Sequence, residues 1–513
     1  MVNNTNRIFR NTLMLYFRQI LILFVSLYSV RVVLNTLGVE DYGIYSVVGG
    51  IVSFFSFLSG TMASATQRFF SYALGENNQD KLNKTFSTNL LIYIFIAIIS
   101  VILLETLGYW FVHNNLKVPL ERYETACFIY HFSVMTFVFT IIASPFMAII
   151  IAHEDMHIYA YVSIADASLK LLVVFLLRLL VWDKLKLYGI LLCFVGFVNA
   201  IIYLIICLKK YEECQFKKFN WDRKLFSETI SFTGWTLFGQ VTSVLRVQAV
   251  TILINQVFNP LIVTARTIAT QVTNQVNAFS SNFNVGLYPP IIKSYAANEK
   301  DEMFDLIFTG CKITFFLMWV FSLPLFIEMR FCLTIWLKQP PEFSVLFTRL
   351  ALIEVLINTI SMPIATAARA SGKMRNYELS LGAIQVLIFV TDFILFKYFS
   401  VEAYIVFVVA AIFNLLMFIV RLILVRYLID FPILRFIKTV ILPIIFVAVI
   451  SALFSMLFYF SLPKTIIFNL LIIFLCVIIS TLCMFFFGFD KSEKKKVLEK
   501  VKNILVKHGV KKA

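Results

Sequence analysis

Apolar runs of roughly 20 residues or more recur from one end of this chain to the other, each long enough for a helix to cross a hydrocarbon core of about 30 Å. A soluble core has no use for so many. Of the 513 residues, 60% are hydrophobic and 14% charged, against roughly 45 to 50% and about 25% in soluble domains. The alternation of a membrane β-barrel is absent, and an open sheet facing lipid would leave backbone amides and carbonyls unpaired. The chain is therefore expected to be an all-α polytopic membrane protein.

Clusters of turn-forming and charged residues divide the runs into about 14 candidate transmembrane helices. Among them are 11–37, 42–70, 227–256 and 261–287, the last so polar that hydropathy alone overlooks it. Arg7 and Arg10 lead into a long first run with no small-residue processing site, so no cleaved signal peptide is expected. With the amino terminus inside, the inner loops and tails carry about 28 Lys and Arg and the outer loops about 7, as the positive-inside rule requires. Both termini are then cytoplasmic. The net charge of +16 follows largely from this asymmetry, which leaves no need for a nucleic-acid partner. The eight cysteines are scattered without a Cys-x-x-Cys pair, and His153 and His157, beside Glu154 and Asp155, read as a solvated loop. Neither a metal nor an organic cofactor is expected.

The chain also repeats itself. Setting Pro145 over Pro363 without gaps aligns Ala152 with Ala370, Met156 with Met374, Tyr159 with Tyr377 and Phe175 with Phe393. A nearby register pairs Ser71-Tyr72-Ala73 with Ser294-Tyr295-Ala296. Both lay the first six spans over the next six. An even number makes the repeat parallel, about an axis along the membrane normal, with a cleft that rocking of the lobes opens to either side. The expected organisation is an N-lobe at 1–208 (spans one to six), a cytoplasmic linker at 209–226 and a C-lobe at 227–430 (spans seven to twelve). Two further spans at 431–488 and a basic amphipathic cytoplasmic tail at 489–513 complete it. A pseudo-symmetric receptor without moving cargo is the alternative reading of the same repeat.

Three stretches carry a family resemblance: Asn35-Thr-Leu-Gly-Val-Glu-Asp-Tyr-Gly-Ile-Tyr45, the Pro145-Phe-Met-Ala segment running to His153-Glu-Asp-Met156, and Ser231-Phe-Thr-Gly-Trp235. They resemble polysaccharide-export flippases of the Wzx type, relatives of the MATE transporters and of the lipid II flippase MurJ, and the resemblance covers nearly the whole chain. It implies a MATE/MurJ-like fold and no enzymatic activity. The implied task is to move an undecaprenyl-diphosphate-linked oligosaccharide, such as an O-antigen, capsule or exopolysaccharide repeat unit, across a bacterial cytoplasmic (inner) membrane by alternating access. The implied partners are that lipid-linked oligosaccharide, membrane lipids and glycan polymerase or export machinery, with the chain itself a monomer. Spans one, two, seven and eight would line the cleft.

Such a cargo needs cations for its phosphates and hydrogen-bonding groups for its sugars. A charge inside a span costs about 2.5 to 3.5 kcal/mol on insertion scales, so interior arginines need a cavity, a partner or a route to the interface. Arg31, Arg246 and Arg266 lie on the order of 10 to 15 Å from the outer ends of their spans, with Arg18 and Arg68 nearer the inner ends. Together they form a candidate ladder for the diphosphate, because the guanidinium fork stays charged and donates paired hydrogen bonds. Snorkelling to the interface is the competing account, strongest for Arg18 and Arg68. In span eight, Arg266, Thr270, Asn274, Asn277, Ser281 and Asn284 recur at helical spacing, widened by Gln271 and Gln275. This stripe, with Gln67 at the repeat-equivalent place in span two, is read as glycan-facing cavity lining, and interhelical hydrogen bonding is the alternative. Among the acids, Asp166 is spaced to pair with Lys170. Glu354 and Asp392 either couple transport to H⁺ or Na⁺ or meet a partner from another helix. A cation-coupled multidrug antiporter of the same fold, and a lipid II flippase, remain the alternative functions. An enzyme of glycan assembly would need a catalytic loop at an interface, and no outer loop exceeds about 15 residues.

Overall fold

The computed structural model describes residues 2–115, 120–180, 182–215, 222–258, 260–399, 401–490 and 493–494. The expected tail helix lies almost entirely outside them. Fourteen long helical segments follow one another, with no strand among the described residues. They are α1 (Met14–Gly38), α2 (Asp41–Val52 continued by Ser56–Gly75), α3 (Gln79–Asn114), α4 (Tyr123–Ala152), α5 (Met156–Leu179), α6 (Lys184–Lys210) and α7 (Arg223–Val257). Then come α8 (Pro260–Ala296), α9 (Lys300–Leu337), α10 (Ser344–Ser371), α11 (Arg375–Phe399), α12 (Ile405–Ile429), α13 (Ile433–Ser461) and α14 (Ile466–Gly488). Twelve are long and apolar enough to cross a membrane, or thirteen if bent α2 counts as one span. The remaining one, α8, runs for 37 residues as helix but is too polar for that count, as the sequence led us to expect.

Local chemistry sets the ends. Asn78 caps α3 by accepting from Lys81 N at 2.9 Å, and Asp183 caps α6 by accepting from Leu185 N at 3.0 Å and Lys186 N at 3.2 Å. Asp183 also takes Arg122 at 2.9 Å, and the same guanidinium reaches Asp41 at 3.0 Å, tying the starts of α2, α4 and α6 together. The continuous second span expected at 42–70 is instead bent by 45°. There the ladder tightens to three-residue bonds, Phe55 N to Val52 O and Leu58 N to Phe55 O, both at 3.0 Å. Of the interior prolines, Pro324 is followed by a break at Glu328 (φ −103°, ψ 28°), while α4 and α10 continue as helix past Pro145 and Pro363.

Two compact units are present. One comprises residues 1–241, 285–303 and 369–379, and so joins the first six spans to the basic ends of α7, α8 and α10. Its core includes Phe70, Phe146, Ile149, Ala152 and Cys207 from α2, α4 and α6. The other comprises 242–284, 304–368 and 380–513. Within it α13 and α14 pack on α9 through Leu323, Ile327, Ile472 and Cys476, and Trp319 Nε1 donates to Ser451 Oγ at 2.9 Å. Lys312, 2% exposed, reaches Glu493 at 2.7 Å just beyond α14, so a buried cation is neutralised where the last span ends.

Candidate transport site

In the second unit, four charged side chains from four helices converge. Arg246 on α7 approaches Glu354 on α10 at 3.4 Å, and Asn414 on α12 donates to the same Oε1 at 2.9 Å. Arg266 on α8 donates to Val247 O at 3.5 Å and lies in the electrostatic field of Arg246, Glu354 and Asp392. Asp392 on α11 is 1% exposed, and neither carboxyl oxygen has a hydrogen-bond partner. Two buried guanidinium nitrogens, Arg246 Nε and Arg266 Nη1, are unsatisfied as well. The formal charges of the four groups cancel. Unused donors and acceptors in one apolar setting leave this cluster able to take a further charged or polar ligand.

Arg266 begins the polar stripe of α8. Thr270, Gln271, Asn274 and Gln275 are exposed, Asn277 and Ser281 are half-buried, and the opposite face, with Ala265, Ala269, Thr273, Val276 and Ser280, is buried. The stripe thus keeps its hydroxyls and amides away from the packed side of the helix. Asn277 Oδ1 has no hydrogen-bond partner, and Asn284 Nδ2 donates to Ser280 O at 3.2 Å.

The other residues singled out in the sequence fall in the first unit. Arg31 is exposed on α1. Arg18 is buried, stacked 4.5 Å over the Tyr159 ring and 3.4 Å from Ser163 Oγ. Arg68 is also buried, donating from Nε to Arg369 O at 3.0 Å and from Nη2 to Ala370 O at 3.2 Å. Its guanidinium lies over the rings of Phe69, Tyr72 and Phe232. Gln67 is half-buried on α2 with Nε2 unsatisfied. Asp166 pairs with Lys170 at 2.8 Å. Sequence reasoning missed two partners, Asn414 for Glu354 and the α10 carbonyls for Arg68. An asparagine in an apolar run was the only available signal for the first, and there was none for the second.

His153 does not stand in a solvated loop. Its ring stacks on Tyr211 with centroids 4.3 Å apart, and Nε2 lies 2.5 Å from Glu213 Oε1. Asp155 takes Lys210 at 2.8 Å and Tyr211 Oη at 2.7 Å. Burial alone would raise both carboxyls, but the hydrogen bonds from His153 to Glu213 and from Lys210 and Tyr211 to Asp155 outweigh it and hold both below their ordinary values.

Solved structures share the helical fold that carries these residues. A MATE transporter in its bent conformation superposes with a TM-score of 0.73 at 11% identity, covering 83% of this chain and 96% of that one. The fold is that of the MATE transporters. An outward-facing multidrug-resistance MATE transporter of the MOP superfamily matches with a TM-score of 0.70 at 13% identity, covering 83% of this chain and 96% of its own. A MOP-superfamily transporter from Pyrococcus furiosus, described as having a binding pocket of reversed polarity, gives 0.65 at 12% identity over 82% of this chain and 95% of its own. No protein-family model and no curated protein sequence matches the chain. The MATE fold is thus matched nearly whole, with about a sixth of this chain outside it.

Proposed function

We propose that this chain is a flippase that carries an undecaprenyl-diphosphate-linked oligosaccharide across a bacterial cytoplasmic membrane by alternating access. The observation that carries the reading is the placement of Arg246 and Arg266, with unsatisfied buried donors, at the head of an exposed stripe of hydroxyls and amides on α8. Guanidiniums suit a diphosphate and the stripe suits sugar hydroxyls. The share of the chain outside the MATE match is similar in size to residues 431–513, which include α13 and α14.

The charge balance supplies a coupling rule. With Glu354 and Asp392 ionised the cluster is neutral, and one proton on Asp392 leaves it net positive. Proton and diphosphate would therefore favour each other's binding. The unpartnered Asp392 carboxyl also favours the second reading, a cation-coupled multidrug antiporter on the same fold, in which that acid binds the coupling ion in exchange for a cationic drug.

Removing the protein from cells separates the two. The flippase reading expects lipid-linked oligosaccharide to accumulate on the cytoplasmic face with drug susceptibility unchanged. Normal glycan export with increased drug susceptibility would replace it with the antiporter.

A further inference from the structure

At the basic end of the first unit, the two repeats hold each other by reciprocal contacts. Lys293, near the end of α8, reaches Glu154 in the turn after α4 at 2.8 Å. Arg68, near the end of α2, reaches the last carbonyls of α10 at 3.0 and 3.2 Å. The register that sets Pro145 over Pro363 also sets Glu154 over Gly372, and both are left-handed, with φ of 64° and 76°. Each repeat therefore sends a cation from its second helix to the close of the other's fourth helix, Arg68 to the last carbonyls of α10 and Lys293 to the turn after α4. The helices touch directly as well: a Cβ on Gly75 would lie 2.7 Å from Lys293 O and 2.8 Å from Ala296 Cβ. Tyr288 Oη donates to Ser64 O at 3.2 Å.

The two contacts differ in chemistry. Lys293 meets a carboxylate, whereas Arg68 meets the end carbonyls of α10, which carry partial negative charge but no formal one. A phosphate oxygen is the stronger acceptor for a guanidinium. Arg68 is 8% exposed while the contact is closed, so a phosphate can reach it only once α2 parts from α10, and with it from α8. A ligand that binds only the parted form must shift the population towards it.

We propose that Arg68 and Lys293 are paired latches on the basic end, and that a phosphate-bearing ligand captures the two cations when they part and so holds that end open. This deepens the flippase reading and rests on it for the identity of the phosphate.

The test places spin labels on Asn78→Cys and Asn298→Cys of the full chain in lipid nanodiscs and reads the distance distribution with and without inorganic pyrophosphate. A short distance is expected alone, with a longer population growing as pyrophosphate is added. R68Q and K293Q should each raise the longer population about tenfold without pyrophosphate and blunt the response to it, while K293R restores the closed distribution. G372A gives a second route, since a Cβ there would collide with Arg68 Nη2 and should loosen the latch with every cation retained. An unchanged distribution at millimolar pyrophosphate, or an undiminished response in the R68Q/K293Q double variant, overturns the proposal. A normal distance response in a protein whose loss leaves glycan export intact would reject the flippase reading and leave the latch standing.

Discussion

Arg246 and Glu354, on α7 and α10, form an ion pair at 3.4 Å that Asn414 completes from α12. The carboxylate is thus held by two helices, while one nitrogen of the guanidinium stays unsatisfied and able to take another acceptor. A merely structural pair would be expected to use its donors fully.

Replacing Arg246 or Arg266 by Ala is expected to abolish flipping, with membrane insertion intact. Arg246→Ala should also lower stability, by about 1 to 3 kcal/mol, because Glu354 is left as a half-buried charge with only Asn414. Restoring neutrality with Glu354→Gln in the same chain should recover much of that stability and none of the transport, measured by thermal unfolding and by flipping in parallel.

Asp392→Asn imitates the protonated acid without the proton. Pyrophosphate should bind this variant about 5- to 10-fold more tightly at neutral pH, and the pH dependence of binding should flatten. Calorimetric titration at two pH values checks both, and equal affinities in wild type and variant would remove Asp392 from coupling.

On α8 the exposed and buried faces should respond oppositely. Asn274→Leu and Gln271→Leu are expected to cut transport severely while changing stability by less than about 0.5 kcal/mol. Thr273→Leu, on the buried face, should destabilise by about 1 to 3 kcal/mol through overpacking. Paired transport and melting measurements separate them.

The cluster around His153 predicts an acid-labile contact. Glu213 and Asp155 have depressed folded values, so their stabilisation is complete above their unfolded values, near 4.5 and 3.8, and is lost as pH falls through the lower folded ones. His153→Ala removes the partner of Glu213. Its deficit against wild type should therefore be largest near neutrality and shrink below about pH 4, read as the difference in melting temperature across pH.

The architecture was legible because lipid solvent imposes it: apolar runs of spanning length admit little but helices. Even polar α8 was recoverable, through the turn and charge clusters that bound it rather than through hydropathy alone. The bend in α2 was not, since it depends on how residues 52–58 satisfy their backbone bonds. The charged site was half legible. Its cations and acids could be named because a charge in an apolar run demands explanation, and Asp166 with Lys170 could be paired because their spacing is local. Arg68 was different. Its acceptors are backbone carbonyls about 300 residues away, and no side chain marks a carbonyl in a sequence.

The central claim is tested most directly by transbilayer movement of an undecaprenyl-diphosphate oligosaccharide in proteoliposomes. Wild-type protein is expected to speed its appearance at the opposite leaflet well above protein-free vesicles, and Arg266→Ala to return it to that background. No acceleration by wild type, in vesicles where the same preparation exchanges a cationic drug for protons or sodium, would contradict the account.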